Sequence, residues 1–184
     1  MSEIASAGQL RASLLRWTLF LVPGILLLGY LSAEVSMSGP ENPWFAALNK
    51  PSLYPPPIVF GAVWTVLYTM MGFALAIVAS ARGAPGRGLA VAAFCVQLAL
   101  NLAWSPLFFG ARQITAALIL LVVLDVAVVV TIVLFRRVRL AAALLLLPYL
   151  AWILFATVLN WEFRIANPGA DGREVSGAAT RVEF

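Results

Sequence analysis

Residues 114–135 read ITAALILLVVLDVAVVVTIVLF, an aliphatic run in which Asp125 is the one charged residue. A helix of this length rises about 33 Å, enough to cross the hydrocarbon core of a bilayer. Similar apolar runs occupy residues 14–33, 58–81, 88–109 and 140–163. None of them alternates apolar and polar residues as the wall of a membrane β-barrel does. The sequence therefore predicts an all-α integral membrane protein, with residues 14–165 forming a compact bundle of five transmembrane helices.

The composition of the 184-residue chain supports a membrane location. Hydrophobic residues make up 62% of it and charged residues 11%, and the mean hydropathy is +0.96. The chain has no His and a single Cys, Cys95, which excludes a disulfide framework and any His-based metal or catalytic site. The basic residues behind the net charge of +4 lie at the ends of apolar runs, which is typical of residues that set topology. We therefore expect no metal site and no nucleic-acid partner.

Two tails flank the predicted bundle. Residues 1–13 form a short N-terminal tail before a first helix that lacks a clear signal-cleavage site. Residues 166–184 are small, polar and Gly-rich, and we expect them to be disordered. The N-terminus and the loops on its side of the membrane carry seven Lys and Arg, against five on the other side. This bias predicts a cytoplasmic N-terminus.

The connection between the first two helices, residues 34–57, is long and carries six prolines together with Trp44, Phe45 and Tyr54. Prolines restrict the backbone and aromatic side chains can pack, so this composition predicts an ordered lid over one end of the bundle. The alternative is a stiff spacer whose aromatic side chains anchor it at the membrane interface.

Polar side chains in the third helix recur with helical spacing. Gln97, Asn101 and Ser105 are four residues apart and therefore share one face. Polar groups are costly in hydrocarbon, so this face is expected to point into the bundle. There it either bonds neighbouring helices or lines a cavity, and the spacing fits both.

Aromatic residues lie inside the second and fifth helices rather than at their ends. Trp64 and Tyr68 share one face of the second helix, and Trp152 and Ala156 share one face of the fifth. Aromatic rings with a polar edge, placed inside a bundle, suit a flat, conjugated, partly polar ligand. An aromatic stripe is also common in ordinary helix packing, so both interpretations stay open.

Asp125 lies in the middle of the fourth helix. A carboxyl group at membrane depth is a candidate ion, proton or ligand site. The alternative is a carboxyl that bonds a neighbouring helix, since no Lys or Arg inside a span offers it a partner.

Gly88 and Ala92 lie near the start of the third helix. They form a small-xxx-small pair, which allows two helices to approach closely. The pair predicts a homodimer formed through this helix.

Three separated stretches resemble one family. The first loop and second helix contain WFAALNKP (44–51) and VFGAVWTVLY (59–68), the third helix contains QLALNLAWSPLFFGARQ (97–113), and the fifth contains PYLAWILFATVLN (148–160). In this order they resemble the translocator protein family (TspO/MBR), whose members are also called tryptophan-rich sensory proteins or peripheral benzodiazepine receptors. The resemblance covers about residues 21–164.

The resemblance implies a five-helix bundle with a cavity under the first loop, and a location in a bacterial cell envelope. Members bind porphyrins such as protoporphyrin IX and synthetic benzodiazepine-site ligands. We therefore expect a porphyrin ligand and no required cofactor, with Lys50 or Arg112 meeting its propionates. The ligand-binding residues carried over from the matching motifs are Trp44, Phe45, Trp64, Tyr68, Asn101, Ser105, Trp152 and Ala156.

The chain departs from the family pattern in places. Members usually have tryptophans where this chain has Ser52, Leu53 and Ile58, and Phe45 stands where a Tyr is common. Residues 159–164, LNWEFR, lack the Tyr of the proposed sterol motif, so sterol is not expected as a high-affinity ligand among the membrane lipids. The family's acid matches Leu120, so Asp125 inherits no role.

Three functions follow from the resemblance. The first is a tetrapyrrole-binding protein that senses, sequesters or moves porphyrins, with haem held without His as a variant. The second is an enzyme that degrades porphyrin in light and oxygen, in which Trp64 and Trp152 match the implicated catalytic tryptophans. The third is a sterol or lipid carrier, or a membrane scaffold. No general-base pair or metal-ligand set supports hydrolytic or transfer chemistry.

Overall fold

The computed structural model describes residues 7–173, which are helical apart from loops and turns and contain no strand. The helices are α1 (Ala7–Val35), α2 (Pro43–Ala47), α3 (Pro57–Ser80), α4 (Arg87–Ser105), α5 (Ile114–Val138), α6 (Leu140–Leu145) and α7 (Leu147–Ala166). Five stretches of helix are long and apolar enough to cross a membrane, namely Gly8–Val35, Pro57–Ser80, Arg87–Gly110, Ile114–Val138 and Leu140–Ala166. The predicted all-α bundle with five spans is confirmed.

The first helix begins earlier than the sequence predicted. Residues 7–13, assigned to the N-terminal tail, already form the start of α1. This stretch contains Gln, Leu, Arg and Ala, which favour helix, and no Pro. A helix is therefore free to extend past the end of the apolar run, while residues 1–6 lie outside the described part of the chain.

Prolines shape the ends of the third and fifth spans. Pro106 begins a π-helical turn, Pro106–Gly110, that continues from α4, and the Ala111 N–H donates to the Pro106 carbonyl at 2.7 Å. The fifth span is interrupted at Leu146, between α6 and α7. Pro148 explains the break, since proline has no N–H and its ring clashes with the carbonyl four residues earlier.

The core of the bundle is apolar and closely packed around α3. Met71 of α3, Phe94 of α4, Leu124 of α5 and Ile153 of α7 are fully buried in one cluster. Lipid offers no hydrophobic force that drives helices together, so close contact depends on shape. At Gly72 of α3 a side-chain carbon would lie 2.7 Å from the Cα of Val22 in α1. The absence of a side chain at Gly72 is what lets α1 and α3 meet.

The lid (residues 34–57) is ordered, as predicted. It contains the short helix α2, whose first turn is capped by Asn42, because Asn42 Oδ1 accepts from the Phe45 N–H at 3.1 Å. Trp44 and Phe45 are buried. They pack with Phe108, Leu159 and Phe163 in a second apolar cluster at this end of the bundle.

The expectation of a disordered C-terminal tail is wrong for residues 167–173. Asn49 of the lid donates its backbone N–H to Asn167 Oδ1 at 2.7 Å, and Asn167 Nδ2 donates to the Asn49 carbonyl at 3.0 Å. Asp171 Oδ1 accepts from the Ile114 and Thr115 N–H groups that start α5, at 2.5 and 3.2 Å. Composition indicated disorder, but capping and amide pairing order this segment. Residues 174–184 lie outside the described part of the chain.

Candidate functional site

A cavity of about 590 Å³ lies between the lid and the bundle. Its walls come from α1, α3, α4, α5 and α7, together with the lid and the π-helical turn. Most of these walls are aromatic or aliphatic. The volume falls within the roughly 300–1,000 Å³ typical of small-molecule sites.

Seven of the eight expected site residues line this cavity. They are Phe45, Trp64, Tyr68, Asn101, Ser105, Trp152 and Ala156. Trp44 does not line it. Its ring packs edge-on against Phe108 with centroids 5.5 Å apart, and its Nε1 donates to the Ala170 carbonyl at 3.3 Å. Trp44 therefore holds the lid to the C-terminal segment. The motif did not reveal this role, because it depends on Ala170, which is 126 positions away in the sequence.

The polar stripe of α4 serves both of the roles left open by its spacing. Gln97 is fully buried, and its Oε1 accepts from the Tyr149 hydroxyl at 2.9 Å, which joins α4 to α7. Asn101 and Ser105 line the cavity. Gln97 is thus an interhelical contact, while Asn101 and Ser105 face the cavity.

Trp64, Tyr68 and Asn101 form a connected wall. The Trp64 and Tyr68 rings stack with centroids 5.0 Å apart and an interplanar angle of 28°. The Tyr68 hydroxyl donates to Asn101 Oδ1 at 2.9 Å. Opposite this ring, Gly29 of α1 leaves room, because a side-chain carbon there would lie 2.2 Å from Tyr68 Cε2. Helix packing therefore holds this wall in place.

Replacing Tyr68 by Phe should remove the bond to Asn101 while leaving the ring stacked. We expect a loss of about 1 kcal/mol in the free energy of unfolding, the usual contribution of one such hydrogen bond. Thermal unfolding in detergent micelles measures it. Thr65→Val, about one turn earlier on α3, is the control, since the Thr65 hydroxyl bonds only the Gly61 carbonyl of its own helix. Equal stability of Tyr68→Phe and wild type would contradict the assigned bond.

Neither basic residue expected to meet a ligand lines the cavity. Lys50 Nζ donates to the Phe45 and Leu48 carbonyls and lies 4.1 Å from the centre of the Phe45 ring. Partial burial lowers the pKa of Lys50 below its usual value. The Arg112 guanidinium donates to the Arg173 carbonyl at 3.5 Å. Both side chains hold the lid end of the bundle together. Their partners are set by how the loops fold, which the residues next to Lys50 and Arg112 in the sequence do not determine.

Within residues 7–173, three polar atoms on the cavity wall are buried without a hydrogen-bond partner, and none belongs to the expected set. They are Ser38 Oγ, Trp104 Nε1 and Asn160 Oδ1. Buried polar groups are normally paired, so atoms of this kind mark places where a ligand or water completes the site. Asn160 is four residues after Ala156, and Trp104 is three residues after Asn101. This helical spacing was the signal in the sequence that placed them on the same faces as the expected site residues.

Asp125 lies outside the cavity. Its Oδ2 accepts from the Thr157 hydroxyl of α7 at 2.9 Å, while its Oδ1 has no partner. Asp125 therefore bonds a neighbouring helix, which is the second of the two interpretations of this carboxyl.

Comparison with known proteins decides the family. A family model described as the TspO/MBR family matches residues 18–166. The chain belongs to this family. The tryptophan-rich protein TspO of Chlorobaculum tepidum is 39% identical over 152 residues, which cover 82% of this chain and 96% of that protein. The translocator protein of Homo sapiens is 44% identical over 120 residues, which cover 64% and 71%.

Another TspO/MBR relative is the tryptophan-rich sensory protein of Cereibacter sphaeroides. It is 36% identical over 146 residues, which cover 79% of this chain and 89% of that protein. The TspO/MBR match contains the lid, the cavity walls and all five spans except the start of α1. The family resemblance seen in the sequence motifs is confirmed, and the chain is a multi-pass membrane protein of this family.

Proposed function

We propose that this TspO/MBR protein binds a tetrapyrrole, protoporphyrin IX above all, in the cavity under the lid and thereby senses, moves or regulates porphyrins. The observation that carries the proposal is one cavity that joins aromatic walls to unpartnered polar atoms. Trp152 packs against Phe60 and Phe155, with centroids 5.8 and 5.2 Å away, and faces the space also lined by Trp64. Flat conjugated rings stack well on such walls.

The unpartnered atoms favour a ligand with both donors and acceptors. Trp104 Nε1 is a donor and Asn160 Oδ1 is an acceptor. The propionic groups of a metal-free porphyrin satisfy both kinds, since a carboxylate oxygen accepts from the Trp104 N–H and a protonated carboxyl donates to Asn160 Oδ1. The chain contains no His, so haem in this cavity would be held without a His ligand. The printed name of the relative from Cereibacter sphaeroides, a sensory protein, is compatible with a sensing role.

Titration with protoporphyrin IX, followed by quenching of tryptophan fluorescence, tests the proposal. Trp152→Ala should weaken binding by about two- to twelvefold, because one lost stacking contact costs 0.5–1.5 kcal/mol. Trp161→Ala is the matched control on the same helix. Trp161 is 49% exposed and does not line the cavity, so its removal should leave the affinity unchanged. Equal affinities of Trp152→Ala and wild type would contradict the assignment of the cavity as the porphyrin-binding site.

The second candidate is an enzyme that degrades porphyrin in light and oxygen. It is favoured by the position of Trp64 and Trp152 on the same cavity, with Trp64 stacked on Tyr68 and Tyr68 bonded to Asn101. In this reading the excited porphyrin and dioxygen supply the chemistry, and the tryptophans lie beside the ring as electron donors. Absorption spectra of the protein with protoporphyrin IX under light and oxygen separate the candidates. A new product band that is lost in Trp64→Phe supports the enzyme, and an unchanged Soret band in wild type counts against it.

The proposal also includes the orientation of the protein in the membrane and its assembly into a homodimer. We place the N-terminus in the cytoplasm and the lid on the outer side of a bacterial envelope membrane, from the bias in Lys and Arg. Gly88 and Ala92 are both exposed on α4, as a homodimer contact through that helix requires. Lipids surround the bundle in this scheme, and sterol is not assigned to the cavity.

A further inference from the structure

A second, smaller cavity of about 280 Å³ lies at the end of the bundle opposite the lid. Its lining comes from the first half of α1 and from the loop that follows α3, namely Ser13, Arg16, Trp17, Phe20 and Arg82. The four α1 residues recur at i, i+3, i+4 and i+7, so they present a single helix face. Three of them precede residue 18, where the family match begins.

The two guanidinium groups at this cavity have no acidic partner among residues 7–173. Arg16 donates only its Nε, to the Ala12 carbonyl at 3.3 Å, which leaves its terminal nitrogens free. The described carboxylates lie elsewhere, near the lid end or at mid-span, at Glu34, Glu41, Asp125, Glu162 and Asp171. Two positive charges on one cavity repel each other, and an anion between them removes that cost.

Two other arginines at this end of the bundle donate to backbone carbonyls. Arg87 donates to the Ala79 carbonyl at 2.9 Å and Arg139 donates to the Val138 carbonyl at 3.0 Å. These two side chains satisfy the carbonyls at helix ends. Arg82 makes no such side-chain bond to residues 7–173, so its donors remain available at the cavity.

The Ser13 hydroxyl completes the polar part of the cavity. Ser13 is 7% exposed, and its Oγ has no hydrogen-bond partner among the described residues. Serine and threonine inside a helix usually bond the carbonyl four residues earlier, as Thr65, Thr69 and Thr131 do here. Ser13 does not, although it is more than nine-tenths buried. A buried hydroxyl without a partner on a cavity wall with two cations indicates a missing acceptor.

The apolar part of the cavity indicates what carries the anion. Trp17 and Phe20 are 36% and 72% exposed and follow Ser13 and Arg16 toward the middle of α1. Tryptophan at this depth is typical of the headgroup region of a bilayer. We propose that this cavity binds a phosphate group between Arg16 and Arg82, with the Ser13 hydroxyl donating to it, and that Trp17 and Phe20 contact the chains of a phospholipid that carries it. Basic cavities between membrane helices suit anionic lipid headgroups.

Thermal unfolding of the delipidated full-length protein in detergent micelles tests this site, with dioleoylphosphatidylglycerol and sodium phosphate as separate probes. The lipid should stabilise wild type, because a ligand that binds only the folded state raises its stability. Arg82→Gln should weaken the apparent lipid affinity by about tenfold, as expected for one lost charged hydrogen bond. Ser13→Ala should weaken it by a smaller factor without changing the charge.

Arg137→Gln is the matched control, since Arg137 is exposed at the same end and does not line the cavity. The affinity of the Arg137→Gln variant for the lipid should equal that of wild type. Protection by the lipid alone identifies a membrane lipid as the source of the phosphate. Equal protection by sodium phosphate, lost in Arg82→Gln, identifies a soluble phosphate at the same site. No protection by either probe, or equal losses in Arg82→Gln and Arg137→Gln, would overturn the proposal.

Discussion

Replacing Gly72 by Leu is expected to lower the free energy of unfolding by about 3 kcal/mol, near the upper end of the cost of overpacking a core. The first added carbon would lie 2.7 Å from Val22 Cα and 2.8 Å from Val22 Cγ2. A backbone atom cannot move aside by a change of side-chain rotamer, so α1 and α3 must separate. That separation also disturbs the contact between Gly29 and Tyr68, which lies further along the same pair of helices.

The control for this prediction is the same change at Gly24 of α1. A side-chain carbon at Gly24 has no other atom within 4 Å, so Leu there is expected to change stability little. Gly72→Ala should fall between the two, because its clash is partly offset by the better helix propensity of Ala. Chemical or thermal unfolding in micelles ranks the three variants. Similar stabilities of Gly72→Leu and Gly24→Leu would show that α1 and α3 are not packed through Gly72.

Asn167→Ala is expected to release the lid from the C-terminal segment. The change removes two bonds to Asn49 and one to the Phe163 carbonyl at 2.9 Å. Exposed bonds contribute at the low end of the usual range, so the free energy of local opening should fall by about 2 kcal/mol. Hydrogen exchange at the Asn49 amide reports it directly, because that N–H donates to Asn167 Oδ1. Exchange should become about thirtyfold faster.

Two further variants separate the amide pairing from general loosening of the lid. Asn167→Asp keeps the acceptor for the Asn49 N–H but loses both donated bonds, so its exchange rate should fall between those of wild type and Asn167→Ala. Ser52→Ala changes an exposed lid residue and should leave the rate unchanged. If all three variants exchange like wild type, the lid is held by Trp44 and Phe45 packing and not by Asn167.

The residues that line the cavity were predicted from the sequence more completely than the hydrogen bonds they make. Motif matching selected the residues of the aromatic wall, Trp64, Tyr68 and Trp152, and all three line the cavity. It also selected Trp44, which packs behind the wall. It did not select Trp104 or Asn160, whose polar atoms face the cavity unpaired. A motif records which side chains recur, whereas the pairing of their polar atoms depends on neighbours from other helices.

The positions of the five spans followed from the sequence alone, because hydropathy is a property of each segment and the length of a span is set by the bilayer. The lid also followed, since proline and aromatic content restrict a loop locally. The polar stripe of α4 also indicated which face of that helix points into the bundle, but for the more uniformly apolar helices only the tertiary structure decided how each is turned about its axis. A soluble helix is oriented by its apolar stripe, but a helix that is apolar on every side has no such preference in lipid. Close contacts such as Gly72 with Val22, and distant pairs such as Asn49 with Asn167, set those orientations and so form the cavity.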